Sequence, residues 1–344
     1  MRSALISPYS GGAIRGNIVT VRRIADFLEQ AGTCIVTLAA DILTVAGMQR
    51  QLAEFRPDVI HGFHAGLCGP IVMQLAQQLR MPYLITITGS DLHDPLLRER
   101  PATVSALESA QTIVCFHSGD ADRLTGLFPS LRGKVSVIPQ GIEPLSVNED
   151  DDFGCDRESF VLLLPAALRP VKQIEFPIRA LLPLIRSNNP LKLLIAGGVI
   201  DREYATQIFE MLRGTPWAVW LGEVPHDRMG SLYQRADLVL NCSRSESMPN
   251  SLLEAMAAGR PILAADIPGN RSLVRHGENG WLYNGEADFR RLVLHAREGI
   301  ARREEVGRNA KEYVMEHCSP RKEAERYLTL YHSIVTADPK SSAV

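Results

Sequence analysis

The 344-residue chain carries 37 Lys and Arg against 39 Asp and Glu, so its net charge is close to zero. That balance argues against a polyanion binder, which presents a strongly basic face, and no nucleic-acid partner is expected; a local cationic site for one diphosphate stays compatible with it. At roughly 100–200 residues per domain the length suggests two domains, and an apolar share of 45% is enough for two ordinary cores.

The cysteines (Cys34, Cys68, Cys115, Cys155, Cys242 and Cys318) are scattered and form no CxxC pair. Most stand in apolar surroundings, such as Cys34 in TCIVTL and Cys115 in TIVCFH, so buried free thiols in a reducing compartment are expected rather than a zinc site. The opening MRSALISPYSGG has too short an apolar run for the core of a signal peptide. No apolar stretch approaches the ~20 residues that span a bilayer. The expectation is a soluble cytoplasmic protein, with peripheral membrane contact left open.

Short β-branched runs alternate with longer helical patterns, the signature of α/β units around parallel sheets. In the first half, strands are expected at Ser3–Ser7, Cys34–Leu38, Val59–His61, Tyr83–Thr88, Thr112–Phe116 and Val135–Pro139. Ile18, Val21, Ile24, Ala25 and Leu28 recur at helical spacing over Ile18–Gln30, and Gly32 closes that helix. Residues Glu143–Ser159 are acidic and poor in apolar side chains, a solvated connector. A second α/β series follows at Phe160–Pro165, Leu191–Ala196, Ala218–Leu221, Leu238–Cys242 and Pro261–Ala264. The expected fold class is therefore α/β, with two Rossmann-like doubly wound domains facing each other across a cleft, at residues 1–145 and 146–318. Ligands of such sheets sit at the carboxyl ends of the strands, so the loops just after strands are where chemistry is sought.

The richest such loop is SRSESMPNSLLEAMAAGRPILAADIPGN, residues 243–270. It turns through Ser, Pro and Asn into a helix over Asn250–Ala258, with Pro249 in the first turn and Gly259 as the C-terminal cap. Amides freed at a helix N-terminus, with the positive end of its dipole, make an anion site. Glu246 precedes the helix, and at 1.5 Å rise per residue Glu254 lies ~6–8 Å from the first amides, about the reach from a pyrophosphate to its ribose. One carboxylate can accept from ribose hydroxyls and the other from hydroxyls of a transferred sugar. A Glu–x7–Glu spacing alone is common among solvated surface charges.

The whole phrase ESMPNSLLEAMAAG, residues 246–259, closely resembles the donor-binding signature EGFPNxLLEAMAxG of the retaining GT-B glycosyltransferases of family 4, and the match continues through RPILAADIPGNRSLVRHGENGWLY. ALRPVKQIEFPIRAL resembles the family's GR-x-x-x-K-G stretch, which implies that Arg169 and Lys172 neutralise a donor diphosphate. Leu168 and Gln173 stand where the family usually has glycines. WLGEVPHDRM resembles the segment that cradles the nucleobase, implying Gly222, Glu223 and Val224. Ser247, Met248, Pro249 and Asn250 complete the implied donor set. IAGG at 195–198 resembles a glycine turn whose role is close packing. HCSPRKEAERYLTLY resembles the family's C-terminal helix, expected at 319–336, that crosses back to the first domain.

In the first half, Gly11 and Gly12 fall between strand and helix, where backbone can approach phosphate or sugar, and Arg15, Gly16 and Asn17 could contact the donor or an anionic acceptor; a plain glycine turn is the competing reading. VIHGFHAGLCGP resembles the family's DxIHxHxxxxG pattern, which lines the acceptor region and points to His64. His61 and His64 lie three apart but have no acidic or cysteine partner nearby, so buried hydrogen-bonded histidines are favoured over metal ligands. TITGSDLHDP has Thr88 where the family often has the histidine of an HG pair, leaving Thr88, Asp91 and His93 as acceptor-side candidates. The TG[ST]D variant and the GN of the first loop are similar to a branch that holds animal glycosyltransferase one-domain-containing proteins and bacterial selenosugar synthases.

The reaction implied is transfer of a sugar from a UDP- or GDP-linked donor to an unidentified acceptor, with retention, metal-independent and without a cofactor. Arg169, Lys172, Glu246 and His64 are the candidate catalytic residues. No carboxylate pair is placed as a glycosidase's acid and nucleophile. The alternatives are a sugar-nucleotide epimerase on the same fold and a non-catalytic nucleotide-sugar-binding protein.

Overall fold

A computed structural model describes residues 1–11, 16–148, 153–154, 158–185 and 190–337. The chain divides into two compact units: unit 1, Met1–Gly141 with Cys318–Val344, and unit 2, Ile142–His317. Each is built on its own six-stranded parallel sheet.

Unit 1 holds β1 (Arg2–Ser7), β2 (Cys34–Ala39), β3 (Val59–Phe63), β4 (Tyr83–Thr86), β5 (Thr112–Cys115) and β6 (Val135–Val137), in the order β2-β1-β3-β4-β5-β6. The strands read as continuous apolar runs because helices cover the sheet on both faces. β4 stops two residues short of the expected Thr88, because the amides of Thr88 and Gly89 turn away to the carboxylate of Asp91. The helices are α1 (Gly16–Gln30), α2 (Val45–Phe55), α3 (Ala65–Leu79), the single turns α4 (Ser90–His93) and α5 (Pro95–Arg98), α6 (Pro101–Ser109) and α7 (Ser118–Leu127). α1 buries Val21, Ile24, Ala25 and Leu28, the face its spacing predicts. Gly32 at φ 86 then turns its amide back to Glu29 O at 2.9 Å.

Unit 2 holds β7 (Phe160–Pro165), β8 (Leu191–Ala196), β9 (Ala218–Trp220), β10 (Leu238–Asn241), β11 (Ile262–Ala265) and β12 (Trp281–Tyr283), in the order β12-β11-β10-β7-β8-β9. β7 and β8 have the bounds their apolar runs predict. β12, a three-residue edge strand that pairs with β11, was not expected. The helices are α8 (Glu175–Leu181), α9 (Arg202–Arg213), α10 (His226–Arg235), α11 (Asn250–Ala257), the single turn α12 (Pro268–Arg271), α13 (Glu286–Glu298) and α14 (Ile300–His317). Strand order reverses between β7 and β10, the crevice where open α/β sheets take ligands. The described start of the connector is largely exposed, yet it lies against α10: Asn148 N donates to Ser231 Oγ at 2.7 Å. A Cβ on Gly230 would stand 1.9 Å from Ser146 O, so only glycine admits this path.

The chain re-enters unit 1 for α15 (Pro320–Ala337), which packs on α1 and buries Tyr327 and Tyr331 with Leu5, Ile24 and Leu28. Side chains of this kind each contribute about 1.5–3 kcal/mol when fully buried. Polar ties reinforce the seam: Arg23 Nε donates to Glu323 Oε2 at 3.0 Å, and His61 lies between Tyr331 Oη (2.6 Å) and Thr86 Oγ1 (2.7 Å). Burial pushes the His61 imidazole down to about 3, so it is neutral. His61 is thus a satisfied core histidine.

The thiols divide differently from expectation. Cys68, Cys115, Cys242 and Cys318 are buried and free, and burial pushes Cys242 and Cys318 up to about 12. Cys34, by contrast, is exposed, because it opens the edge strand β2 on its outward side. Cys155 lies outside the described residues. No described helix is long and apolar enough to cross a membrane.

Candidate active site

At the reversal of strand order in unit 2, the loop after β7 meets the loop after β10. Arg169 is half-buried and leads into a 3-10 turn, Pro170–Lys172. Lys172 Nζ donates to Glu246 Oε1 at 2.5 Å, and the same oxygen accepts from Ser243 Oγ at 2.6 Å and Asn241 Nδ2 at 3.4 Å. Burial alone would raise the Glu246 carboxyl, but the Lys172 ammonium, the Ser243 hydroxyl and the nearby Arg169 guanidinium outweigh it and hold it below its usual range. Glu246 is therefore an ionised side chain only 12% exposed. Arg169 Nε is buried with no hydrogen-bond partner among the described residues.

The two departures from the glycine pattern are accommodated separately. Leu168 sends its side chain into the unit 2 core, while its backbone bridges to the loop after β8, donating to Gly198 O at 2.9 Å. Gln173 takes the left-handed conformation a glycine would adopt there, φ 48 and ψ 50, which costs about 1–2 kcal/mol for an L residue. Its amide offsets part of this, turned to donate to Cys242 O (3.0 Å) and accept from Arg244 Nε (3.2 Å).

α11 begins at Asn250, so Pro249 is its N-cap, one position earlier than expected, and no side chain caps the helix. The amides of Leu252 and Leu253 both return to Pro249 O, at 3.1 and 3.2 Å. Ser247, Met248 and Pro249 are buried and Asn250 is half-buried. Gly259 follows the helix at φ 70. Glu254, in the second turn, is buried; its Oε2 accepts from Tyr233 Oη at 2.7 Å and its Oε1 stands 3.4 Å from His226 Nε2. A carboxylate offers about four lone-pair sites, so two such contacts leave capacity for hydroxyl donors. Neither Tyr233 nor His226 was singled out from the sequence. Nearby in the fold, Gly222 has φ 75 with open space where a Cβ would be, Glu223 is exposed and Val224 is buried. Gly197 has the packing role expected, since a Cβ there would lie 2.3 Å from Ala166 O.

Unit 1 presents a different edge. Gly11 is exposed and unobstructed, and Asn17 is half-buried in the first turn of α1; Gly12 and Arg15 lie outside the described residues. His64 is 2% exposed and caps α3: Nδ1 accepts from Leu67 N at 3.2 Å, so Nε2 carries the proton and donates to Ser90 Oγ at 2.9 Å. Asp91, 1% exposed, accepts from the amides of Ala65 (2.7 Å), Thr88 (3.0 Å) and Gly89 (2.8 Å), tying the loops after β3 and β4 together. Thr88 Oγ1 is buried without a hydrogen-bond partner among the described residues. His93 Nε2 stands 3.3 Å from Asp120 Oδ1, and His117 Nε2 3.3 Å from Asp120 Oδ2. His117 and Asp120 gave no motif signal. No group of three or more His, Cys, Asp or Glu residues is arranged to hold a metal ion among the described residues.

Residues 8–141 match the model of the glycosyl transferase 4-like domain, and residues 159–296 that of glycosyl transferases group 1. Together these two glycosyltransferase models span most of the chain, and it is a glycosyltransferase enzyme. It is 26% identical to the glycosyltransferase 1 domain-containing protein 1 of Xenopus tropicalis over 333 residues, 92% of this chain and 93% of that one. Among solved structures it is similar to sucrose-phosphate synthase from Thermosynechococcus elongatus, with TM-score 0.84 at 18% identity over 98% of this chain and 100% of that one. It is also similar to Anabaena HepE in complex with UDP and glucose, with TM-score 0.81 at 16% identity over 96% and 99%. These likenesses show the fold, that of the GT-B glycosyltransferases.

Proposed function

We propose that this enzyme moves a sugar from a UDP- or GDP-linked donor to a nucleophilic acceptor, with the anomeric configuration retained and without a metal. The observation that carries the reading is the meeting of Arg169, Lys172 and Glu246 at the reversal of strand order in unit 2. HepE, of the same fold, was crystallised with UDP and glucose, which supports a donor of that chemistry.

In this reading the diphosphate lies against Arg169, Lys172 and the uncapped start of α11, and Glu254 accepts from the ribose hydroxyls. Glu246 accepts from hydroxyls of the transferred sugar. As the bond from the anomeric carbon to the phosphate oxygen breaks, negative charge grows on the leaving nucleoside diphosphate. Fixed cations stabilise that charge in the transition state more than in the ground state. The acceptor attacks the anomeric carbon from the departing phosphate's side and passes its proton to that phosphate oxygen.

Incubation of the protein with labelled UDP- and GDP-sugars and a mixture of lipid, sugar and thiol acceptors in EDTA tests this. The expected outcome is labelled sugar on a new product with its anomeric configuration kept. An epimerised donor, or transfer abolished by the chelator and restored by a divalent ion, would overturn it.

A further inference from the structure

Glu246 uses one oxygen for three protein contacts, while Oε2 has no hydrogen-bond partner among the described residues. The orientation of one of those contacts is decided two residues away. Ala265 O can only accept, so Asn270 must turn Nδ2 toward it, at 2.9 Å. The same nitrogen donates to Asn241 Oδ1 at 3.3 Å, and Ser243 N donates to that oxygen at 3.2 Å. With two donors on its oxygen, the Asn241 amide cannot flip, and its Nδ2 faces Glu246 Oε1.

The surroundings are built for this relay. Asn241 ends β10, paired with Ala264 of the adjacent β11, and Asn270 lies in the turn after β11. Asn270 is fully buried and Asn241 4% exposed. A Cβ on Gly269 would stand 2.1 Å from Glu246 O and 2.6 Å from Ser247 O, so the turn presses against the backbone that carries Glu246. Asn270 Oδ1 is buried without a hydrogen-bond partner among the described residues, a cost that an apolar side chain of similar volume would avoid.

We propose that Asn241 and Asn270 are positioning residues that select the orientation of Glu246, so that Oε2 is presented to the hydroxyls of the transferred sugar. This rests on the donor reading above, with Glu246 on the sugar rather than on the nucleotide. It follows that the asparagine pair governs how strongly the sugar of the donor is held, and leaves the nucleoside diphosphate nearly untouched.

Calorimetric titration of wild type, Asn270→Asp and Asn241→Asp with UDP, UDP-glucose, GDP and GDP-mannose separates these contributions. Asn241→Asp keeps the oxygen that receives Ser243 N and Asn270 Nδ2, and replaces only the donor facing Glu246 by an acceptor. Both variants should keep nucleoside-diphosphate affinity within about twofold, while the Kd of the matching sugar nucleotide rises about tenfold. Loss of both affinities together in Asn241→Asp, or a sugar-nucleotide Kd unchanged in a variant that binds the nucleoside diphosphate, would overturn the proposal. Wild type that binds none of the four would instead sink the donor reading, and this inference with it.

Discussion

Unit 1 and unit 2 share a parallel six-stranded sheet with a reversal of strand order, and both gather polar side chains where their strands end. They use them differently. In unit 1, Asp91 spends its carboxylate on three backbone amides and His64 spends both ring nitrogens on a cap and a serine. In unit 2, Lys172 and Glu246 hold each other while Glu246 Oε2 and Arg169 Nε have no hydrogen-bond partner among the described residues. The contrast teaches that similar residues in similar places need not share a role: Asp91 and His64 of unit 1 spend their polar atoms on loop shape, whereas Glu246 and Arg169 of unit 2 each keep one polar atom that the proposed function assigns to the donor.

The largest effect that could break this contrast lies in unit 2. Arg169→Ala should lower kcat by about 100-fold or more, the scale for losing one preorganised charge-stabilising donor, with a smaller change in donor affinity. Steady-state kinetics in which KM rises while kcat is kept would place Arg169 in ground-state binding only.

In unit 1 the corresponding blow should fall on stability. Asp91→Ala leaves three amides without their acceptor, and at about 1–3 kcal/mol for a buried unsatisfied group the loss should reach about 3 kcal/mol by urea denaturation. A change below about 1 kcal/mol would remove Asp91 from the account of loop shape.

A smaller, pH-dependent effect sharpens the same point. Because the folded-state value of His61 is depressed to about 3 from 6.5, the unfolded chain takes up the extra proton first as pH falls. His61 thus costs no stability above about pH 6.5, and below it removes up to about 1.4 kcal/mol per pH unit until the folded value is reached. In His61→Gln this part of the slope should vanish; an identical slope in the variant would show that acid sensitivity arises elsewhere.

Much of this was legible in the sequence. β7 and β8 are dense apolar runs with clear ends, and the helix after Pro249 announces itself by its spacing and by Gly259. Lys172 was singled out through the family resemblance and Glu246 from its loop before a helix, both in loops that follow strands, but the ion pair between them was not read from the sequence. What could not be read are contacts set by tertiary placement. Tyr233 and His226 reach Glu254 from α10, and Asn270 reaches Asn241 from the turn after β11, partners 21 to 29 residues apart that carry no periodic signal. Ser243 stands three residues before Glu246, a short spacing that does carry a signal. Gln173 shows the reverse: a glycine pattern was broken in the sequence, yet the backbone keeps the left-handed turn. For His64 the sequence offered both a catalytic candidate near the acceptor and a buried, hydrogen-bonded histidine; it is buried and bonded, but its pattern could not name the Leu67 amide on Nδ1 or Ser90 Oγ on Nε2.

Calorimetric titration of UDP and GDP into wild type and Glu254→Ala tests the central claim most directly, that unit 2 holds the donor through its nucleotide. The account predicts that one of the two binds wild type and that its Kd rises about tenfold or more in Glu254→Ala, about 1.4 kcal/mol. Equal affinity in a folded Glu254→Ala protein would contradict it.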